Sequence, residues 1–134
     1  MTLGEFVKQL AALLQQDEVT MPFKDERPWH ELFYELKRDT TLHGKPGFFE
    51  SLRFDLDGPY PKSRDLSRFL QALHWNASVS ATNPHFETIS LPAGVAQLWM
   101  SRYESTDADS RAVLRITADR ARDKFSGVLH AARV

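Results

Sequence analysis

The chain has 134 residues, 42% of them hydrophobic and 11% aromatic, which suits one domain with a sizeable core and is unlike a disordered composition. A formal net charge of −1 excludes the global basic excess of a protein that coats nucleic acid through charge alone, so any basic surface has to be local. The absence of cysteine excludes disulfides, thiolate metal sites and a cysteine nucleophile, and it fits a reducing compartment.

Thr2 and Glu5 form a capping box, after which Leu3, Phe6, Val7, Leu10, Leu13 and Leu14 share one face of a helix ending near Gln16. Glu5, Lys8 and Asp17 interrupt the apolar region that a secretory leader needs. No window approaches the roughly 20 apolar residues of a membrane span, so a cytoplasmic setting without membrane contact is expected. Residues 17–27, with Pro22 and mixed charges, read as a connection. Pro28 then takes the first position of a second helix, which carries Trp29, Leu32, Phe33 and Leu36 on one arc and runs to about Arg38. Residues 40–47 hold Gly44, Pro46 and Gly47 and read as a loop.

The next stretch changes period at Gly58-Pro59. Leu52, Phe54 and Leu56 alternate with Arg53, Asp55 and Asp57, the pattern of a strand with one buried face. Beyond Pro61, Leu66, Phe69, Leu70 and Leu73 recur at helical spacing and predict a helix from about residue 64 to 74. Two β-type runs, 77–81 and 86–91, flank Thr82-Asn83-Pro84-His85 and read as a hairpin. Pro92 opens a helix carrying Val95, Leu98, Trp99 and Tyr103, and residues 105–109 supply a break. A last helix, from about 108 to 131, aligns Val113, Leu114, Thr117, Ala118, Ala121, Phe125 and Val128. That stripe suits covering the domain's own core and equally suits a homo-oligomer paired through this helix.

The expected fold is therefore α+β: a mainly helical single domain, residues 1–134, with a small three-stranded β element. Two helices, strand, helix and hairpin give a winged-helix-like core over about 28–92, followed by C-terminal helices over about 92–131. The alternative is a generic α+β domain in which no helix is presented to a groove.

In the winged arrangement the helix at 64–74 is the recognition helix. With its leucines inward, Arg64, Arg68 and Gln71 lie on the opposite face, with Lys62 and Ser63 just ahead of the helix. Arg and Gln suit phosphates and base edges. Asn83 and His85 would sit at the tip of the wing, so the candidate nucleic-acid-binding residues are Lys62, Arg64, Arg68, Gln71, Asn83 and His85. A solvated helix face and an ordinary turn explain the same residues, and Asp55, Asp57 and Asp65 lie close in sequence. Arg111, Arg115 and Arg122 oppose the apolar stripe of the last helix. With Asp107, Asp109, Asp119 and Asp123 interspersed, they read as a salt-laced exposed face.

Asp55 and Asp57, two apart on one strand face, could hold a divalent metal or perform acid–base work, but no third ligand has a recognisable spacing. The histidines His30, His43, His74, His85 and His130 form no ligand pair, and no serine sits in a nucleophile elbow. No catalytic residue, metal or cofactor is assigned. Trp29, Trp75 and Trp99 build the core or an interaction patch. Gly58, Pro59 and Tyr60 form a structural turn, with the Tyr60 ring expected to pack over the start of the following helix.

From Phe54 to Leu73 the chain, FDLDGPYPKSRDLSRFLQAL, resembles the Gly-Pro-Tyr region of prokaryotic YwgA-like proteins and, more distantly, Panacea-type antitoxin domains. Phe54, Gly58, Pro59, Tyr60, Leu66 and Leu70 stand at comparable places, whereas Pro61 and the long last helix depart from the pattern. The resemblance implies a small helical domain of winged-helix character in a bacterial, antitoxin-like or defence-associated setting, with no catalytic residue to carry over. The reading that follows is a non-enzymatic accessory or regulatory protein acting through protein–protein contacts. A DNA-binding winged-helix regulator is the alternative, and a small metal-dependent enzyme using Asp55 and Asp57 the remote one.

Overall fold

Thr2 Oγ1 accepts the Glu5 backbone N–H at 3.1 Å and so caps helix α1 (Leu3–Gln16) with a side chain that satisfies one of its free amides. The computed structural model, which describes residues 1–75 and 88–133, is mainly helical with one small antiparallel sheet. Helix α1 buries Phe6, Val7, Leu10, Leu13 and Leu14 on the face that its spacing predicts. Helix α2 (Arg27–Arg38) carries Pro28 in its first turn and buries Trp29, Leu32, Phe33 and Leu36. Helix α6 (Ala108–Arg133) packs against both, placing Val113, Leu114, Thr117, Ala118, Ala121 and Phe125 in the interior. The apolar stripe of α6 thus covers this chain's own core.

Aromatic rings join these helices. The Phe6 ring meets Phe33 and Phe49 edge to face at 5.8 and 5.5 Å, and Trp29 lies 4.8 Å from Phe125. Trp29 Nε1 donates to the Pro22 carbonyl at 2.7 Å, so the buried indole leaves no donor unpaired. The basic residues of α6 tie it down at its flanks: Arg115 and Arg122 pair with Asp17, and Arg120 pairs with Asp39 at 2.6 Å. Hydrogen bonds from Thr41, together with Arg120, hold the Asp39 carboxyl well below the usual carboxylate range. The Arg115 and Arg122 face, read as salt-laced, is paired with Asp17 and Asp119 within the chain.

Three expectations change. Residues 52–57 form no strand: the short helix α3 (Phe48–Ser51) precedes them, and their ladder is a single bridge between Asp55 and Lys62. Leu56, expected on the buried face, is 61% exposed, because no neighbouring strand extends the alternation into a sheet. The sheet instead joins β1 (Met21–Pro22), inside the stretch read as a connection, to β2 (Thr88–Ile89). Met21 faces Ile89 and Pro22 faces Thr88, and Pro22 is tolerated because a two-residue edge strand needs few donors. Gln15 holds the end of that pairing, donating to the Leu91 carbonyl at 3.0 Å and accepting its N–H at 2.6 Å. Two strands, not three, are present among the described residues. The 77–81 run and the Asn83 and His85 turn lie outside them. On helix α5 (Ala93–Glu104) Trp99 is buried, but Leu98, placed on the apolar face by its spacing, is 51% exposed. Among the described residues no helix is long and apolar enough to cross a membrane.

Candidate functional site

Helix α4 (Arg64–Trp75) forms where the spacing predicts it and buries Leu66, Leu70 and Leu73. Its outer face is set by how tightly the inner one is held. Phe69 packs onto α1 at Gly4, where a Cβ would lie 2.8 Å from Phe69 Cε2, so only glycine admits that approach. Ser63 caps the helix: its Oγ accepts the Leu66 N–H at 3.3 Å.

Below the cap lies a residue that sequence reasoning left in the core. His30, on α2, is fully buried, and its Nδ1 accepts the Ser63 backbone N–H at 3.0 Å. Because Nδ1 accepts, the ring proton sits on Nε2, which donates to Glu26 Oε1 at 3.2 Å. Burial works to raise the Glu26 pKa, but hydrogen bonds from His30, Ser67 and Gln71 outweigh it and hold the carboxyl below its ordinary value. The chain of contacts Ser63, His30, Glu26, Ser67 and Gln71 therefore stitches α2 to α4 through one buried imidazole. The Glu26 and His30 spacing of four on a helix was the available signal.

Next to this network a recess of about 320 Å³ is lined by Asp55, Lys62, Arg64, Ser67, Arg68 and Gln71, two of which, Ser67 and Gln71, also bond to Glu26. Lys62, Arg64, Arg68 and Gln71 thus converge on one cavity, while Asn83 and His85 lie outside the described residues. Asp55 joins them because its backbone is bridged to Lys62, with N–H···O distances of 2.8 and 3.0 Å. The side chains of Lys62, Arg64 and Arg68 make no ion pair among the described residues, in contrast with Arg27, Arg115, Arg120, Arg122 and Lys124. Against these cations stands the Asp55 carboxylate, whose Oδ1 is engaged by the Asp57 N–H at 2.9 Å. Asp55 and Asp57 are accordingly the ends of a turn and not two carboxylates presented side by side on a strand.

A second recess of about 240 Å³ adjoins the first and shares its Asp55 and Lys62 wall, with Gly58, Pro59 and Tyr60 completing it. The Tyr60 ring lies 5.7 Å from the His30 ring and the Arg27 guanidinium 5.7 Å from the Tyr60 centroid. The turn residues thus rest on the same histidine that holds the start of α4. Among the described residues no group of three or more His, Asp or Glu side chains is placed to hold a metal ion.

The site is a polar hollow with Lys62, Arg64 and Arg68 on its rim, Asp55 in its wall and the Glu26 carboxylate behind Ser67 and Gln71. Comparison with family models, with curated proteins and with solved structures finds no match to this chain.

Proposed function

We propose that this chain is a non-enzymatic regulatory protein that binds nucleic acid through the polar face of α4. One observation carries the reading: Lys62, Arg64 and Arg68, uncompensated by ion pairs among the described residues, line a single recess with Gln71. Three cations without partners raise the local potential for phosphate even in a chain of net charge −1. The Gln71 Nε2 already donates to Ser67 and Gln71 also bonds to Glu26, so the Gln71 Oε1 is what remains to accept from a base edge. The winged-helix form of this reading needs the expected 77–81 and 86–91 hairpin as its wing, of which residues 77–87 lie outside the described residues.

The test is a fluorescence-anisotropy titration of DNA at fixed low salt with wild type and with Arg64→Ala/Arg68→Ala. Neither arginine belongs to the buried face of α4, so the double variant folds normally and loses most of its affinity. Unchanged affinity would sink the reading.

A second reading, an antitoxin-like accessory protein working through protein contacts, draws on the exposure of Leu56, 61%, on the turn that flanks the recess. An apolar anchor beside a cationic rim fits an acidic partner segment. It expects a protein retained after nuclease treatment by the wild type and released by Leu56→Asp.

A further inference from the structure

We infer that the two adjoining recesses form one nucleoside-phosphate site, with the phosphate held by Arg64 and Arg68 and the base laid against Pro59 and Tyr60. This rests on the nucleic-acid reading above and narrows it to an unstacked nucleotide, as found in a single strand or a free mononucleotide.

The argument begins with shape. A duplex offers its phosphates on a convex surface, and a recognition helix meets it by protruding into a groove. Here the cations, exposed on the outer face of α4 and just ahead of it, border a recess of about 320 Å³. A hollow of this size suits one group that enters it.

The second recess supplies what a phosphate alone would not need. Pro59 and Tyr60 make its wall, and Asp55 and Lys62 are common to both recesses, so they form the boundary between a cationic half and an aromatic half. A nucleotide has the same order of parts: charged phosphate, a sugar with hydroxyls, and a flat base. Asp55, a carboxylate at the boundary, is placed to accept from a sugar hydroxyl or an exocyclic amine. Stacking on an aromatic ring tolerates any base. His30 meets the Tyr60 ring at 5.7 Å and the Arg27 guanidinium lies 5.7 Å from its centroid, so a base stacks on the part of the ring these two leave open.

Two of the amides at the start of α4 are already taken. Ser63 Oγ already takes the Leu66 N–H and His30 Nδ1 already takes the Ser63 N–H. The side-chain cations and the ring are the groups that line the two recesses and would hold the ligand.

The test titrates the full chain with a fluorescent single-stranded dT12, with an abasic strand of equal length and charge, and with the corresponding duplex; unlabelled AMP is the competitor. The expected result is at least about fivefold weaker binding of the abasic strand and of the duplex than of dT12, the lower end of what one stacked base contributes. Tyr60→Ala brings dT12 down to the abasic level and Tyr60→Phe does not. Displacement by AMP identifies a free nucleotide as sufficient; displacement only by unlabelled strand identifies the polymer as the source, and both support the site. Equal binding of dT12 and the abasic strand overturns the inference whatever the Tyr60 variants do, because that comparison needs no variant to fold. If Arg64→Ala/Arg68→Ala still abolishes that equal binding, the nucleic-acid reading survives and only the nucleotide site falls. If no strand, duplex or AMP binds, both fall.

Discussion

Replacing His30 by Phe keeps a planar ring in a fully buried position and removes both of its hydrogen bonds. The Ser63 N–H, buried at the start of α4, then has no acceptor, and an orphaned buried donor costs about 1–3 kcal/mol. Glu26 loses one of its donors but keeps Ser67 and Gln71 and is partly reached by solvent, which limits that loss to about 1 kcal/mol or less. The more apolar ring returns about 1 kcal/mol of transfer free energy. The net expectation is a loss of roughly 0–3 kcal/mol, centred near about 1.5, read as a lower midpoint in urea at unchanged slope. The orphaned amide belongs to the residue between Lys62 and Arg64, so affinity for dT12 falls as well, although His30 lines neither recess. His30 is a positioning residue in this account. A gain in stability, or a loss near about 1.5 kcal/mol or more with unchanged affinity, would refute the reasoning, since the first denies the buried hydrogen bond and the second denies its link to the site.

Further outcomes follow from the same contacts. Glu26 has a folded pKa below its unfolded value, so its contribution to stability is complete above about pH 4.5 and is lost as the pH falls through the lowered value. Urea midpoints across pH 3–7 therefore show a shallower acid limb in Glu26→Gln than in wild type, and equal limbs would contradict the assignment. Gly4→Ala gains up to about 1 kcal/mol in helix propensity but forces a methyl toward Phe69, for which overpacking costs about 1–3 kcal/mol. Thermal unfolding is expected to show a net loss near 1 kcal/mol, and a stabilised variant would mean that Phe69 can turn aside freely.

The parts legible in the sequence are those with long amphipathic spacing. Helices α1, α2, α4 and α6 follow from their apolar faces, because a twelve-residue or longer stripe can bury itself only as a helix against neighbours. The alternation at Leu52, Phe54 and Leu56 misled, because period two is also what an extended segment after a short helix displays, and only a neighbouring strand turns it into a sheet. The pairing of Met21–Pro22 with Thr88–Ile89 joins residues far apart in sequence, which no local pattern reports. Arg64, Arg68 and Gln71 were legible as one helix face. That Asp55 and Lys62 close the recess depends on the bridge between them, and the role of His30 depends on a backbone amide 33 residues away. A histidine on an apolar face has the same sequence signature whether it merely fills space or carries a hydrogen bond across helices.

The most direct test of the central claim is the salt dependence of dT12 binding by wild type and by Arg64→Ala/Arg68→Ala. One phosphate held by Arg64 and Arg68 and a second met by Lys62 predict a slope of log K against log salt near about −1.4 for the wild type, and the remaining Lys62 contact predicts about −0.7 for the variant. A wild-type slope near zero, or the same slope in both proteins, would contradict the assignment of phosphate to the α4 face.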